Sequence, residues 1–169
     1  MAVEHLLARG RRRIAYVGGP AELRQLADRR RGAEAAVAEV VDAELEVIDT
    51  PALSVAEGHT VGETLRRRPA CRRPDAVFCA NDLLAMGVLQ ALTIVGDVRV
   101  PDDIALIGYD DIDFVRSTVV ALSSIRQPTS RIGTTAIDLL LAAADVSSRH
   151  VPGHRVFQPA LVVRASTGG

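Results

Sequence analysis

Short apolar runs rich in β-branched residues alternate along this chain with longer stretches whose apolar positions recur at helical spacing. The runs "RIAYV" (13–17), "LEVID" (45–49), "DAVFC" (75–79), "IALIG" (104–108) and "LSSI" (122–125) read as strands. Between them the period predicts helices over 22–41, 55–68 and 83–95, with an opening helix over 3–8. The helix after Asn81 shows the clearest stripe, running through Leu84, Val88, Leu92 and Val95. A further helix follows Pro128 over 130–144, "DVSSRHVPGH" (145–154) reads as a surface connection, and a last extended piece covers 156–163. This alternation predicts an α/β fold with a parallel sheet of βαβ units in a three-layer αβα arrangement.

In an open parallel sheet a ligand sits beyond the carboxyl ends of the strands. That rule singles out "GGP" (18–20), "TPAL" (50–53), "AND" (80–82), "YDD" (109–111) and "RQP" (126–128). Most of these segments carry glycine or hydrogen-bonding side chains, which makes a rim suited to a small polar ligand.

Composition narrows the function. With 169 residues and 48% apolar content, the chain can bury a real core as a soluble domain. A net charge of −1 and 3% aromatic residues supply neither a basic field for a phosphate backbone nor platforms for stacked bases, so the chain by itself is expected to bind nucleic acid poorly. No apolar run approaches the ~20 residues needed to cross a bilayer, and residues 1–13 lack a signal-peptide core, which predicts no membrane association and a cytoplasmic location. Every strong basic charge is arginine, because the sequence has no lysine, and this removes the P-loop lysine, the Schiff-base lysine and the receiver-domain lysine. Cys71 and Cys79 form no CxxC pair, and Cys79, within "DAVFCA", reads as a buried, inert thiol.

Asp110, Asp111 and Asp113 follow the fourth strand, where aspartates can bind a metal, accept hydrogen bonds from hydroxyls, or turn the chain. The histidines at 5, 59, 150 and 154 show no metal motif. "HVPGH" has the spacing of a helical pair, but Pro152 and Gly153 oppose a helix, and no metal site is expected. Asn81 or Asp82 is placed to cap the next helix, alone or together with a ligand contact. In "DRRRG" (28–32) both Arg29 and Arg30 lie at the edge of the face marked by Leu26 and Ala33, so either can point toward a cleft. No GxGxxG, GxSxG or Cys/His pair occurs, and nothing specifies a catalyst. A small α/β enzyme using Asp110 and Asp111 as acid and base remains an alternative.

The segments "HLLARGRRRIAYVGGP" (5–20), "RRRGAEAAV" (29–37), "DAVFCANDLLAMGVLQAL" (75–92), "VPDDIALIGYDD" (100–111), "LSSIRQP" (122–128) and "LVVRAST" (161–167) together resemble the LacI/GalR family of bacterial transcription repressors, in order and over nearly the whole chain. The resemblance implies half of a periplasmic-binding-protein-like type I fold. Residues 1–127 would be the C-terminal effector-binding subdomain, 128–150 a crossover helix belonging to a missing N-terminal subdomain, and 151–169 the returning C-terminal strand segment. It also implies a non-enzymatic sensor without cofactor. Its small polar effector, often a sugar, modulates operator DNA binding by the intact protein through an N-terminal helix-turn-helix that this chain lacks.

Carried over residue by residue, the resemblance makes Asp110 of "GYDD" an acceptor for effector hydroxyls and Arg29 of the RxxG segment a donor. Asn81 matches a third polar position and Gln127 lies at the crossover near the cleft. Leu53 stands where many members place a cleft aromatic, and "VAL" (120–122) replaces the usual "PPL". The chemistry is consistent, since a carboxylate accepts from two vicinal hydroxyls and a guanidinium presents a fixed fork of donors. The resemblance further implies a homodimer with Leu83, Met86, Gly87, Gln90, Ile112 and Thr118 at the interface. A periplasmic solute-binding protein of similar fold is the nearest alternative, and a signal peptide upstream would mark it.

Overall fold

In the computed structural model, which describes residues 1–20, 22–144 and 154–169, five strands form within two residues of expectation. They are β1 (Arg13–Val17), β2 (Glu44–Ile48), β3 (Ala76–Cys79), β4 (Ala105–Asp110) and β5 (Ser123–Arg126), all mutually parallel. A sixth, β6 (Ala160–Val162), pairs antiparallel with β5 and gives the order β2-β1-β3-β4-β5-β6. The sheet is therefore parallel except at this edge. The expected extended piece over 156–163 contributes only three residues of strand.

Helices α1 (Ala2–Ala8), α2 (Arg24–Ala38), α3 (Val55–Arg67) and α4 (Asp82–Thr93) join or precede these strands. The chain steps outward from β1 to β2, then crosses back over β1 to β3 and continues to β4. Right-handed crossovers therefore put α2 on one face of the sheet and α3 and α4 on the other. The packing agrees, since α1 touches α2 while α3 lies along α4. The direction reverses between β1 and β3, which opens a crevice at the carboxyl ends of those strands. Central strands buried along their length, such as β3, explain the unbroken apolar runs that marked them in the sequence.

Glycine sets the distance between α3 and α4. A Cβ on Gly58 would lie 2.2 Å from the Leu84 carbonyl oxygen, and one on Gly87 would lie 2.0 Å from that of Val55. Leu84, Val88 and Leu92 are buried as the stripe predicts, but α4 ends at Thr93 and Val95 is exposed, because the chain turns at Gly96 with φ 72°. Likewise α2 stops at Ala38, three residues short of expectation, ahead of a turn through Asp42 at φ 65°.

The tail after β6 docks through buried hydroxyls. Ser166 Oγ donates to the Leu106 carbonyl and accepts from the Ser123 N–H, and Thr167 Oγ1 lies 2.7 Å from Ser123 Oγ and 3.1 Å from His5 Nε2. Helix α5 (Thr129–Ala144) is different: none of its residues is buried, and Ile132, Ile137, Leu140 and Leu141 face outward. Of the connection "DVSSRHVPGH", residues 145–153 lie outside the described residues, and so does His150 of the "HVPGH" pair.

Candidate ligand-binding site

The crevice rim is assembled from the ends of β1, β2, β3, β4 and β5. Thr50 ties two of these ends together, its buried hydroxyl lying 2.8 Å from the carbonyl oxygens of Gly18 and Ala52. Leu53 packs onto Gly19, where a Cβ would stand 2.6 Å from a Leu53 methyl, so a larger residue there would have to displace the Leu53 side chain. Asn81 is 7% exposed and spans the gap. Its Oδ1 accepts from the Leu84 N–H at 2.9 Å and caps α4, while its Nδ2 donates to the Leu53 carbonyl at 3.4 Å.

Of the two candidate arginines, Arg29 faces the crevice. Its guanidinium lies 3.6 Å from the centre of the Tyr109 ring, and Nη1 donates to the Ala80 carbonyl at 2.6 Å. A cation stacked on an aromatic face at this range is held by the ring quadrupole. Arg30 instead turns toward the end of β2, pairing with Glu34 at 2.8 Å and lying 3.9 Å from Asp49, and Arg31 pairs with Asp28 in solvent. Asp110 is half-buried, and its Oδ1 accepts from Gln127 Nε2 at 2.8 Å. Burial raises its pKa above the ordinary carboxylate value, against the opposing pull of the Gln127 hydrogen bond and the Arg29 charge. Arg29, Tyr109, Asp110 and Gln127 thus form one polar cluster at the ends of β4 and β5, with both a carboxylate acceptor and guanidinium donors.

The neighbouring aspartate does something else. Asp111 is buried, with Arg126 Nε at 2.6 Å on Oδ2 and Arg164 Nη2 at 2.6 Å on Oδ1. Burial would raise its pKa, but the hydrogen bonds and charges of Arg164 and Arg126 prevail and hold it below the usual range. Asp113 begins a 3-10 turn (Asp113–Arg116) and is exposed. Among the described residues no group of three or more His, Cys, Asp or Glu side chains could hold a metal ion. Cys71 and Cys79 are free, the second buried with its thiol pKa pushed up by that burial.

The residues expected at a dimer surface separate into two sets. Leu83 and Gln90 are exposed and Met86, Ile112 and Thr118 partly so. Val55, Met86, Leu89, Gln90, Thr118 and Val119 line an apolar groove there. Gly87 lies on the same stripe of α4 but is buried, because α3 crosses there and its missing side chain is what allows the two helices to touch. Sequence reasoning singled out neither Tyr109, Ser124, Arg126 nor Arg164, and read Asp82 only as a candidate cap of α4, alone or with a ligand contact. Tyr109 sat within a quoted rim segment, but Arg164 lies 53 residues from Asp111 and no local pattern could join them.

Comparison with known proteins follows the same lines. The family description "Periplasmic binding protein-like domain" matches residues 3–167. The chain is 35% identical over 171 residues to the HTH-type transcriptional repressor PurR of Escherichia coli O1:K1, a match covering 98% of this chain and 48% of that protein. Among solved structures, a dimeric Lac repressor with an 11-residue C-terminal deletion superposes with a TM-score of 0.86 at 28% identity, covering 98% of this chain and 59% of that one. A LacI family transcriptional regulator from Lactobacillus casei with bound glucose gives 0.81 at 31% identity, covering 98% and 60%. The chain spans about half the length of the curated relatives it matches.

Proposed function

Because this chain belongs to the periplasmic-binding-protein-like family, in the form carried by LacI-type regulators, we propose that it is the effector-sensing part of a transcriptional regulator. In this reading residues 1–127 form the ligand-holding subdomain. Residues 128–150 would belong to a crossover toward a second subdomain whose apolar surface covers α5, and 151–169 to the returning C-terminal segment that carries β6 and its docked tail. The observation that carries the reading is the placing of the hydrogen-bonded Asp110 carboxylate and Gln127 amide at the same rim of the sheet as the Arg29 guanidinium, which is stacked on Tyr109 beside Asp110. A hydroxylated ligand, a sugar in the first instance, would donate to Asp110 and accept from Arg29. Gln127 and Asn81 would flank it, and Leu53 would offer an aliphatic wall in place of a stacking ring. The Lactobacillus casei relative with bound glucose supports that ligand class.

Ligand binding would then shift a closure equilibrium between the two subdomains, and through it the affinity of a helix-turn-helix for operator DNA in the cytoplasm. The apolar groove between α3, α4 and the segment around Thr118 would pair two copies, in keeping with a Lac repressor of this fold that is dimeric. No catalytic role is proposed for Asp111, whose carboxylate is committed to two arginines. Titration calorimetry of the full-length regulator with glucose, sucrose and a panel of monosaccharides and polyols tests the site. Saturable binding of one such compound, weakened by about tenfold or more in Arg29→Ala and Asp110→Asn, is expected. Binding of none of them, or equal binding by both variants, overturns the reading.

A further inference from the structure

The turn that presents Asp110 contains two consecutive non-glycine residues at positive φ, Asp110 at 109° and Asp111 at 55°. Residues with side chains stay in such conformations only where their surroundings over-determine them. What holds this turn lies beneath it, on another element. Asp82 opens α4 and is 1% exposed. Its Oδ2 accepts from the main-chain N–H of Ile112 at 2.9 Å, and its Oδ1 accepts from the Ser124 hydroxyl at 2.7 Å. The same Ser124 oxygen accepts from the Asp111 N–H at 3.1 Å. One buried carboxylate thus takes both amides that follow Asp110, one directly and the other through a hydroxyl. Gly108 makes room for it, since a Cβ there would stand 2.2 Å from Asp82 Oδ1.

Building on the reading of Asp110 as the ligand's acceptor, we propose that Asp82 is a positioning residue for that acceptor. With Ser124 it clamps the amides of residues 111 and 112 and so holds the left-handed turn that aims the Asp110 carboxylate at Gln127 and the crevice. A helix cap alone would not need this arrangement, because Asn81 already caps α4. The charged and titratable groups facing Asp82 are Asp110 and Asp111 at the end of β4 and the Cys79 thiol of β3; Ser124 of β5 supplies a hydroxyl. Arg126 and Arg164 are turned to Asp111. Burial, with Asp110 and Asp111 adding to it, pushes the Asp82 pKa up to about 6 despite the hydrogen bonds from Ser124 and Ile112. Protonation therefore gives a way to weaken the clamp without mutation.

The test needs no ligand. NMR of the chain follows the Ile112 amide, the Gln127 side-chain amide and the Asp110 carboxyl carbon as pH is lowered. In the unmodified protein all three should share an inflection near the Asp82 pKa of about 6. In Asp82→Asn that inflection should vanish from all three, and solvent exchange at the Ile112 amide should rise about tenfold. Ser124→Ala, which leaves the carboxylate in place, should raise exchange at the Asp111 amide about tenfold and move the Gln127 side-chain resonances toward those of free glutamine. If Asp82→Asn does not fold, Ser124→Ala and the pH titration of the unmodified chain decide. An Ile112 inflection with no counterpart at Asp110 and Gln127, or Gln127 resonances unmoved in the folded variants, overturns the proposal. Its failure is separable from failure of the ligand site, which only the calorimetry addresses.

Discussion

Replacing Asp111 with asparagine should cost stability, and the structure gives the size of the loss. The Asp111 side chain is fully buried between Arg126 and Arg164, each 2.6 Å from a different carboxylate oxygen. Asparagine keeps the shape and tolerates the left-handed φ of 55°, so the change removes charge and little else. It also sets an amide N–H against one guanidinium, donor facing donor. The Arg164 side chain is 13% exposed and cannot recover its hydration, whereas Arg126 is 49% exposed and can. Removing one partner of a buried ion pair costs about 3–5 kcal/mol, and partial rehydration of Arg126 favours the lower end, about 3 kcal/mol. At ~2–4 °C per kcal/mol for a domain of this size, the melting midpoint at neutral pH should fall by ~6–12 °C. The pH dependence follows from the depressed Asp111 pKa. A carboxylate whose folded pKa lies below its unfolded value of about 3.9 contributes its stability above that value and loses it as pH falls through the folded pKa. The gap between the unmodified chain and the variant should therefore close below about pH 4. Circular dichroism melts across that range measure both quantities. A neutral-pH shift under ~2 °C, or a gap undiminished at ~pH 3, would refute the account of Asp111 as a buried counter-charge.

Other outcomes follow from neighbouring groups. Asp110→Asn should weaken binding of the effector found by calorimetry by about tenfold to a hundredfold, the equivalent of one charge-assisted hydrogen bond of roughly 1.5–3 kcal/mol, and leave the melting midpoint nearly unchanged. Unchanged affinity with a large thermal loss would make Asp110 a turn residue. Arg29→Ala should act in the same direction as Asp110→Asn, while Arg31→Ala, in a solvated pair, should leave affinity alone. Met86→Glu places a charge in the apolar groove and should shift sedimentation toward the 18.0 kDa monomer, whereas an unmodified chain that stays monomeric at tens of micromolar, roughly, would count against that groove as an interface.

The strands, though not their order, were within reach of the sequence because the central ones are buried on both faces, and such strands appear as unbroken apolar runs between amphipathic helices. Element ends were harder to place. Val95 fits the stripe of α4 by spacing, yet the helix stops before it because the chain leaves through a left-handed glycine. Gly87 shows a related limit: a glycine on a helix can mark an exposed contact or a close crossing, and only the position of α3 tells which. The rim segments were located by the rule for parallel sheets alone, but which arginine of "RRR" turns inward was undetermined until Tyr109 and the Ala80 carbonyl were seen to receive Arg29.

The three aspartates after β4 show where local reading ends. They are alike in residue type and within four positions, but one faces the crevice, one is locked between two arginines, and one is solvated. What separates them is the pair of left-handed residues, since successive positive φ values rotate the chain and send the side chains of 110 and 111 to different partners. Those partners come from β5, from the tail after β6 and from the start of α4, elements that only the sheet order brings together. The same argument explains why an enzyme-like acid and base pair is a poor description of Asp110 and Asp111. The burial that raises the Asp110 pKa would suit an acid, but the arginines on Asp111 take up the oxygens that a base would need. A carboxylate held on a strained turn and backed by a second, fully paired carboxylate is arranged to accept hydrogen bonds in a defined direction. Such an arrangement supports the proposed role of Asp110 in recognition.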